Sequence, residues 1–239
     1  MNYQLLTNNK VYLSGKVVSM PVYSHEMYGE GFYELMLSVN RLSEQKDIIP
    51  ITISERLLSE GKTSFGSEVS VKGQFRSYNK LIGDKSKLML TVFVREFVEN
   101  DWLASPNIIE LTGFICKEPI YRTTPFNREI ADVLLAVNRA YNKSDYIPCI
   151  AWGRNARFVK GINVGEKVFV SGRIQSREYT KKLEDGSSEV RTAYEISVGK
   201  ISLDTQYSQF SDDDTAFIID ESEKLFIADF NQQKNATNN

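Results

Sequence analysis

The 239-residue sequence is poor in reactive side chains, with one histidine and two cysteines. His25 stands in a Gly- and Glu-containing stretch with no partner pattern around it, so it suggests no chemistry. Cys116 and Cys149 have neither CxxC spacing nor a nearby histidine, which argues against a zinc site or a disulfide framework and leaves two buried free thiols as the expectation. No apolar run reaches the length of a membrane-spanning helix, and Met1-Asn2-Tyr3-Gln4 lacks the charged, apolar, small-residue order of a signal peptide. A cytoplasmic protein with no membrane contact is therefore expected. Spaced carboxylates for a metal and a nucleophile with its base are both missing, so the sequence points to no enzyme, no cofactor and no metal.

What the sequence does contain is a duplication. NKVYLSGKVVSMPVY at 9–23 lies over NIIELTGFICKEPIY at 107–121 with a constant shift of 98, which pairs Gly15 with Gly113, Pro21 with Pro119 and Tyr23 with Tyr121. The same shift places LMLSVNR at 35–41 on VLLAVNR at 133–139, and DIIP at 47–50 on DYIP at 145–148. After one inserted residue, GSEVSVKGQF at 66–75 meets GEKVFVSGRI at 165–174 at a shift of 99.

Within each copy, short β-branched and aromatic runs alternate with turn residues, as strands do. The segment 168–176 reads as a strand carrying Gly172, the mark of a bulge at a barrel corner. Glu184-Asp185-Gly186-Ser187 reads as a hairpin turn, since Asp-Gly tolerates positive φ. Helical pattern is confined to 55–60 and 155–160. The expected fold is all-β: two tandem five-stranded OB-fold barrels, each with one short helix, followed by an acidic C-terminal tail. The expected divisions are 1–103, 104–203 and 204–239.

Over 106–203 the second copy resembles the bacterial single-stranded DNA-binding (SSB) protein family. The resemblance rests on Asn107 to Gly113, Glu118-Pro119, ADVLLAVNR at 131–139, DYIPCIAWG at 145–153, Lys160-Gly161, GEKVFVSG at 165–172 and SREYT at 176–180, in their proper order. The first copy resembles the family more faintly, through Gly15, SVNR at 38–41 and Gly73-Gln74. This implies single-stranded DNA binding without strong sequence preference, by stacking of bases on aromatic rings and tracking of phosphates by basic side chains, in replication, recombination or repair. The stacking positions the resemblance implies fall on Tyr141, Tyr146, Trp152 and Tyr179. The basic positions fall on Arg122, Arg154, Lys160 and Arg177, with Arg139, Lys181 and Lys182 flanking the aromatics. It also implies a homo-oligomer, with a homodimer supplying four barrels. In the first copy Ser43, Ile48 and Ser54 stand at three of the stacking places and only Tyr78 lies near the fourth, so that barrel is expected to be mainly structural.

Charge divides the chain the same way. The net formal charge is 0 over 1–106, +4 over 107–203 and −6 over 204–239. Phosphates draw affinity from cations that release condensed counterions, so the strand is expected on the second barrel. The 181–186 loop is a place where OB-folds meet oligonucleotides. The tail joins Phe210, Asp212, Asp213, Asp214 and Phe217 in one acidic aromatic run, whose readings are docking of replication or repair proteins, packing on the body, or occupation of the groove. A competing reading of the whole makes it a primosome or recombination accessory protein whose barrels mainly hold proteins.

Overall fold

The computed structural model describes residues 8–41, 43–82, 85–99, 107–140, 143–182 and 186–204. Twelve strands and two short helices follow one another in two similar rounds. The first comprises β1 (Asn9–Val17), β2 (Val22–Met27), β3 (Glu30–Asn40), β4 (Lys46–Ser54), α1 (Glu55–Leu58), β5 (Glu68–Ile82) and β6 (Lys85–Val98). The second comprises β7 (Asn107–Ile115), β8 (Ile120–Thr123), β9 (Glu129–Asn138), β10 (Ser144–Trp152), α2 (Arg154–Val159), β11 (Lys167–Lys182) and β12 (Ser188–Leu203). Each round is an all-β OB-type barrel closed by the five strands expected, with one more strand outside the closed ring. The additional one is a short edge strand, β2 or β8, paired only through the hairpin that it forms with the next strand.

Strand order is β2-β3-β4-β6-β5-β1-β7-β11-β12-β10-β9-β8, and β1–β3 and β7–β9 pairings close the barrels. Closure demands close backbone approach. A Cβ on Gly15 would lie 2.6 Å from the Ser38 carbonyl oxygen, and one on Gly113 would lie 2.7 Å from that of Ala136. The bulge expected at Gly172 is present between Ser171 and Gly172, and its twin lies between Lys72 and Gly73. Strand β1 alternates buried and solvent-facing residues with the period of two that half-buried strands require, sending Val11, Leu13 and Val17 inward. Phe75, Ile51 and Val92 complete the first interior, while Ile115, Ile147 and Ile174 help to fill the second, and all these side chains form one continuous apolar network.

The barrels are joined back to back. Strands β1 and β7 pair antiparallel, Asn9 opposite Leu111 and Leu13 opposite Asn107, a register symmetric under the duplication. Asn9 donates from Nδ2 to the Phe75 carbonyl at 2.7 Å and accepts the Phe75 N–H at 2.9 Å. Asn107 repeats both bonds with Ile174, at 2.7 and 2.9 Å. Buried carboxylates then stitch each barrel to the other: Asp47 accepts the Ser176 N–H at 2.7 Å, and Asp145 accepts the Ser77 N–H at 2.7 Å. The helices fall where expected within a residue or two. Ser54 caps α1 by accepting the Leu57 N–H. Cys149 is buried and Cys116 half-buried, both as free thiols. Among the described residues no helix is long and apolar enough to cross a membrane, and no cluster of histidine, cysteine or carboxylate side chains is arranged to hold a metal.

Candidate nucleic-acid interface

Trp152 ends β10, and its position follows from the strand on which it sits. From Asp145 to Ala151 the strand is buried on both faces, and the chain emerges only at Trp152, 40% exposed, before Gly153 turns into α2. Trp152 opens onto a groove of about 390 Å³ between the two barrels, whose other walls are Arg41, Gln45, Arg173, Gln175, Ser176, Arg177 and Ser197. Arg41 and Gln45 come from the first barrel and the rest from the second.

Ion pairs hold the groove's guanidiniums in place. Arg41 binds both oxygens of Asp47, at 2.8 Å from Nε and 2.7 Å from Nη2, and Arg173 reaches the same carboxylate at 3.2 Å. Asp47 is 1% exposed, so this bidentate pair is well shielded from water. Its hydrogen bonds to Asp47 hold the Arg41 guanidinium above its ordinary range, whereas burial and the neighbouring Arg41 pull Arg173 down. Arg177 stands 3.7 Å from the buried Glu195, which also accepts from Gln175 at 2.8 Å. Three cations thus meet two carboxylates, which leaves one positive charge in excess beside an indole face.

Leading away from the groove, Arg177 lies 5.9 Å above the Tyr179 ring, and the strand continues through the half-buried Lys181 to the exposed Lys182. Tyr179 is itself half-buried opposite Arg191. Arg154 is exposed at the start of α2, and Lys160 stands 4.9 Å over the Tyr121 ring just beyond its end.

The expected residues therefore separate. Trp152 and Arg177 line the groove, Tyr179 and Lys181 follow on the same face of β11, and Lys182 comes next on the opposite face. Arg154 and Lys160 lie on α2 and its C-terminal cap, Arg122 is held by the buried Asp132 at 3.1 Å, and Arg139 is drawn to Asp145 at 3.2 Å. Tyr146 does not present a ring to solvent: at 5% exposure it packs with Leu134, Ala136 and Cys116. The physical reason is that β9 and β10 are apolar on both faces. The runs ADVLLAV and YIPCIA, nearly continuous rather than alternating, are the sequence signal for two-sided burial. Tyr141 lies outside the described residues, as do Phe210, Asp212, Asp213, Asp214 and Phe217.

Sequence reasoning missed Arg41, Gln45 and Arg173. The NR dipeptide repeated at 40–41 and 138–139 was visible, but only the folded pairing of the barrels carries Arg41 across to Trp152. The mirror place between the barrels is differently furnished. Ser54 replaces Trp152, Gln74 replaces Arg173, and Tyr78 replaces Arg177, its hydroxyl donating to Glu34 at 2.5 Å. Burial and that hydrogen bond raise the Tyr78 phenol well above its ordinary value. There Arg76 is half-buried, and removal from water together with the nearby Arg139 pushes its guanidinium down to about 10.

With this geometry in view, the comparisons with known proteins are consistent. Residues 106–204 match the model of the single-strand binding protein family. Over 80 residues, 30% of this chain, the sequence is 38% identical to single-stranded DNA-binding protein 1 of Staphylococcus aureus, covering 48% of it. The corresponding figures for single-stranded DNA-binding protein A of Bacillus subtilis are 35% identity over 80 residues, covering 46% of that protein. The chain thus spans about half the length of these curated relatives. The fold is similar to crystal structures of a single-stranded DNA binding protein from Thermus aquaticus. A deletion mutant gives a TM-score of 0.63 at 17% identity, covering 86% of this chain and 97% of that one; the wild type gives 0.60 at 18%, covering 82% and 92%.

Proposed function

We propose that the chain, whose residues 106–204 match the single-strand binding protein family, binds single-stranded DNA with little sequence preference and catalyses no reaction on it. The observation that carries this reading is the inter-barrel groove, where an indole face and three guanidiniums line one channel. An unpaired base stacks on Trp152, its flanking phosphates are taken by Arg173 and Arg177 with Arg41 opposite, and the strand runs on past Tyr179 to Lys181 and Lys182. Every base has a π face and every nucleotide a phosphate, so such a site accepts any sequence. The first barrel is then a working wall of the site as well as a scaffold. The service performed is protection of single strands in replication, recombination or repair, by a cytoplasmic homodimer.

Titration with a dT oligomer while following tryptophan emission tests the reading. Stacking quenches Trp152, so Trp152→Phe removes most of the quenching and Trp102→Phe does not. Unchanged emission at saturating DNA would sink the stacking model.

One observation favours the accessory-protein reading: with Tyr146 enclosed, the stacking platform is shorter than the family resemblance implied. On that reading DNA affinity is micromolar or weaker at moderate salt, and Tyr179→Ala changes it little.

A further inference from the structure

The hairpin of β2 and β3 carries a longer run of exposed apolar side chains than its twin, where Phe126 stands exposed beyond β8. Strand β2 is an edge of the twelve-stranded sheet, and among the described residues no strand pairs with its outer side. Met20, Val22, Tyr23 and Met27 are all exposed along it, 46–67% of each reaching solvent. At its tip Tyr28 is fully exposed, with φ +55° next to Gly29 at +79°. Met27 pairs directly with Glu30, so Tyr28-Gly29 forms a two-residue turn with both φ values positive, the place where Asn-Gly is the favoured sequence. A large aromatic held in the left-handed region and touching solvent all round is conformationally unfavourable and gains no packing in the free chain. The equivalent edge in the second barrel, β8, has only four residues, with Arg122 tied to Asp132.

Charge decides the occupant. Between Lys16 and Arg41 the chain has no lysine or arginine, while Glu26, Glu30 and Glu34 lie on the hairpin, the last engaged by Tyr78 and Ser24 and drawn toward Lys80. Glu55 of α1 adds a fourth carboxylate beside Gly31, within 3.3 Å of where a Cβ on that residue would stand. Phosphates are repelled here. We propose that the β2 edge is a protein-docking site that takes an extended, basic segment of a partner as an added strand, its apolar side chains resting on Val22, Tyr23 and Tyr28 and its lysines or arginines facing the glutamates. Strand addition supplies main-chain hydrogen bonds to the free edge, and the alternating side chains supply selectivity. The site lies on the outer edge of the first barrel, whose part in the proposed DNA course is limited to Arg41 and Gln45, so one chain holds a strand and a partner together.

Tyr28→Asn is the informative variant, because it installs the favoured turn and should unfold at an equal or higher temperature. The probe is a fluorescein-labelled twelve-residue peptide alternating valine with lysine, followed by anisotropy against the full chain, with an alternating valine–glutamate peptide beside it. The lysine peptide is expected to bind, the glutamate peptide not, and Tyr28→Asn and Val22→Lys each to weaken binding at least fivefold while a dT oligomer binds as before. The proposal is overturned if the lysine peptide fails to bind, or if both variants bind it unchanged, which moves it to the acidic run at 212–214. It is equally overturned if Tyr28→Asn weakens dT binding, or if it abolishes a concentration-dependent self-association seen by sedimentation, which makes a second copy the occupant.

Discussion

Replacing Trp152 by alanine separates stacking from charge at the proposed DNA groove. Base stacking on an aromatic is worth about 1–3 kcal/mol by alanine substitution. With 40% of its surface open, Trp152 offers one face to one base, so the lower half of that range, about 1–2 kcal/mol, applies. At about 1.4 kcal/mol per tenfold, affinity for a dT oligomer should fall roughly five- to thirtyfold. The indole carries no charge, so the dependence of log affinity on log salt should keep its slope. Arg173→Gln behaves in the opposite sense. It removes one phosphate contact and should flatten the slope by about 0.7, with Arg41 still covering Asp47. Anisotropy titrations of wild type and both variants at four salt concentrations, on samples shown to be folded by thermal melts, make the comparison. If Trp152→Ala binds within twofold of wild type, or if it alone changes the slope, the strand does not stack in this groove.

Further expectations concern the scaffold. Asn9→Ala should cost about 2–4 kcal/mol in urea unfolding, because two backbone groups of Phe75 lose their partner in a buried place, and Asn107→Ala should cost the same through Ile174. The two losses should add to within about 0.5 kcal/mol, since the residues share no partner. Gly172→Ala drives a methyl into the Ser197 carbonyl at the bulge and should cost about 1–3 kcal/mol, and with Ser197 and Arg173 lining the groove it should weaken dT binding too. Burial raises the Asp145 carboxyl above its ordinary value, so between the two values the folded state binds more protons than the unfolded one, and this group's contribution to stability declines as pH rises through that window. Wild type should therefore lose stability relative to Asp145→Asn as pH climbs above about 4 in equilibrium denaturation, and a flat difference would show that burial does not control this carboxyl.

The duplication, the all-β class and both helices were legible because they rest on local patterns: a repeat at fixed offset, period-two apolarity, and glycines where backbone must meet backbone. Trp152 came through the family resemblance and not through a local pattern, and its exposure follows from standing where β10 emerges from the core. The burial of Tyr146 was not legible, because whether a strand is covered on one face or two is a property of what packs over it, and only the unbroken apolar runs of β9 and β10 hinted at the answer. The short edge strand outside each five-stranded barrel escaped notice for want of length, β8 having just four residues. Arg41 and Arg173 are the hardest class: 132 positions apart in sequence, they converge on one buried carboxylate through the back-to-back joint.

That joint explains why a duplicated chain arrives at one groove of this composition instead of two. The symmetric register of β1 and β7 creates two equivalent clefts, and in each a buried aspartate clamps a serine of the opposite barrel, so neither clamp can be given up without loosening the pair. The residues around the clamps carry no such burden and have diverged. One cleft gained an indole and two arginines at 152, 173 and 177; at the matching places the other holds Ser54, committed to capping α1, Gln74, and Tyr78, committed to Glu34. A serine engaged as a helix cap and a phenol engaged with a carboxylate are both poor surfaces for a base, so the second cleft cannot be restored by one substitution. Ser54→Trp would remove the cap that orders α1 and still face a pinned tyrosine. The asymmetry also fixes where each kind of partner is compatible with the surface, since arginines surround the Trp152 groove while the far edge, at β2, has no lysine or arginine of its own between Lys16 and Arg41.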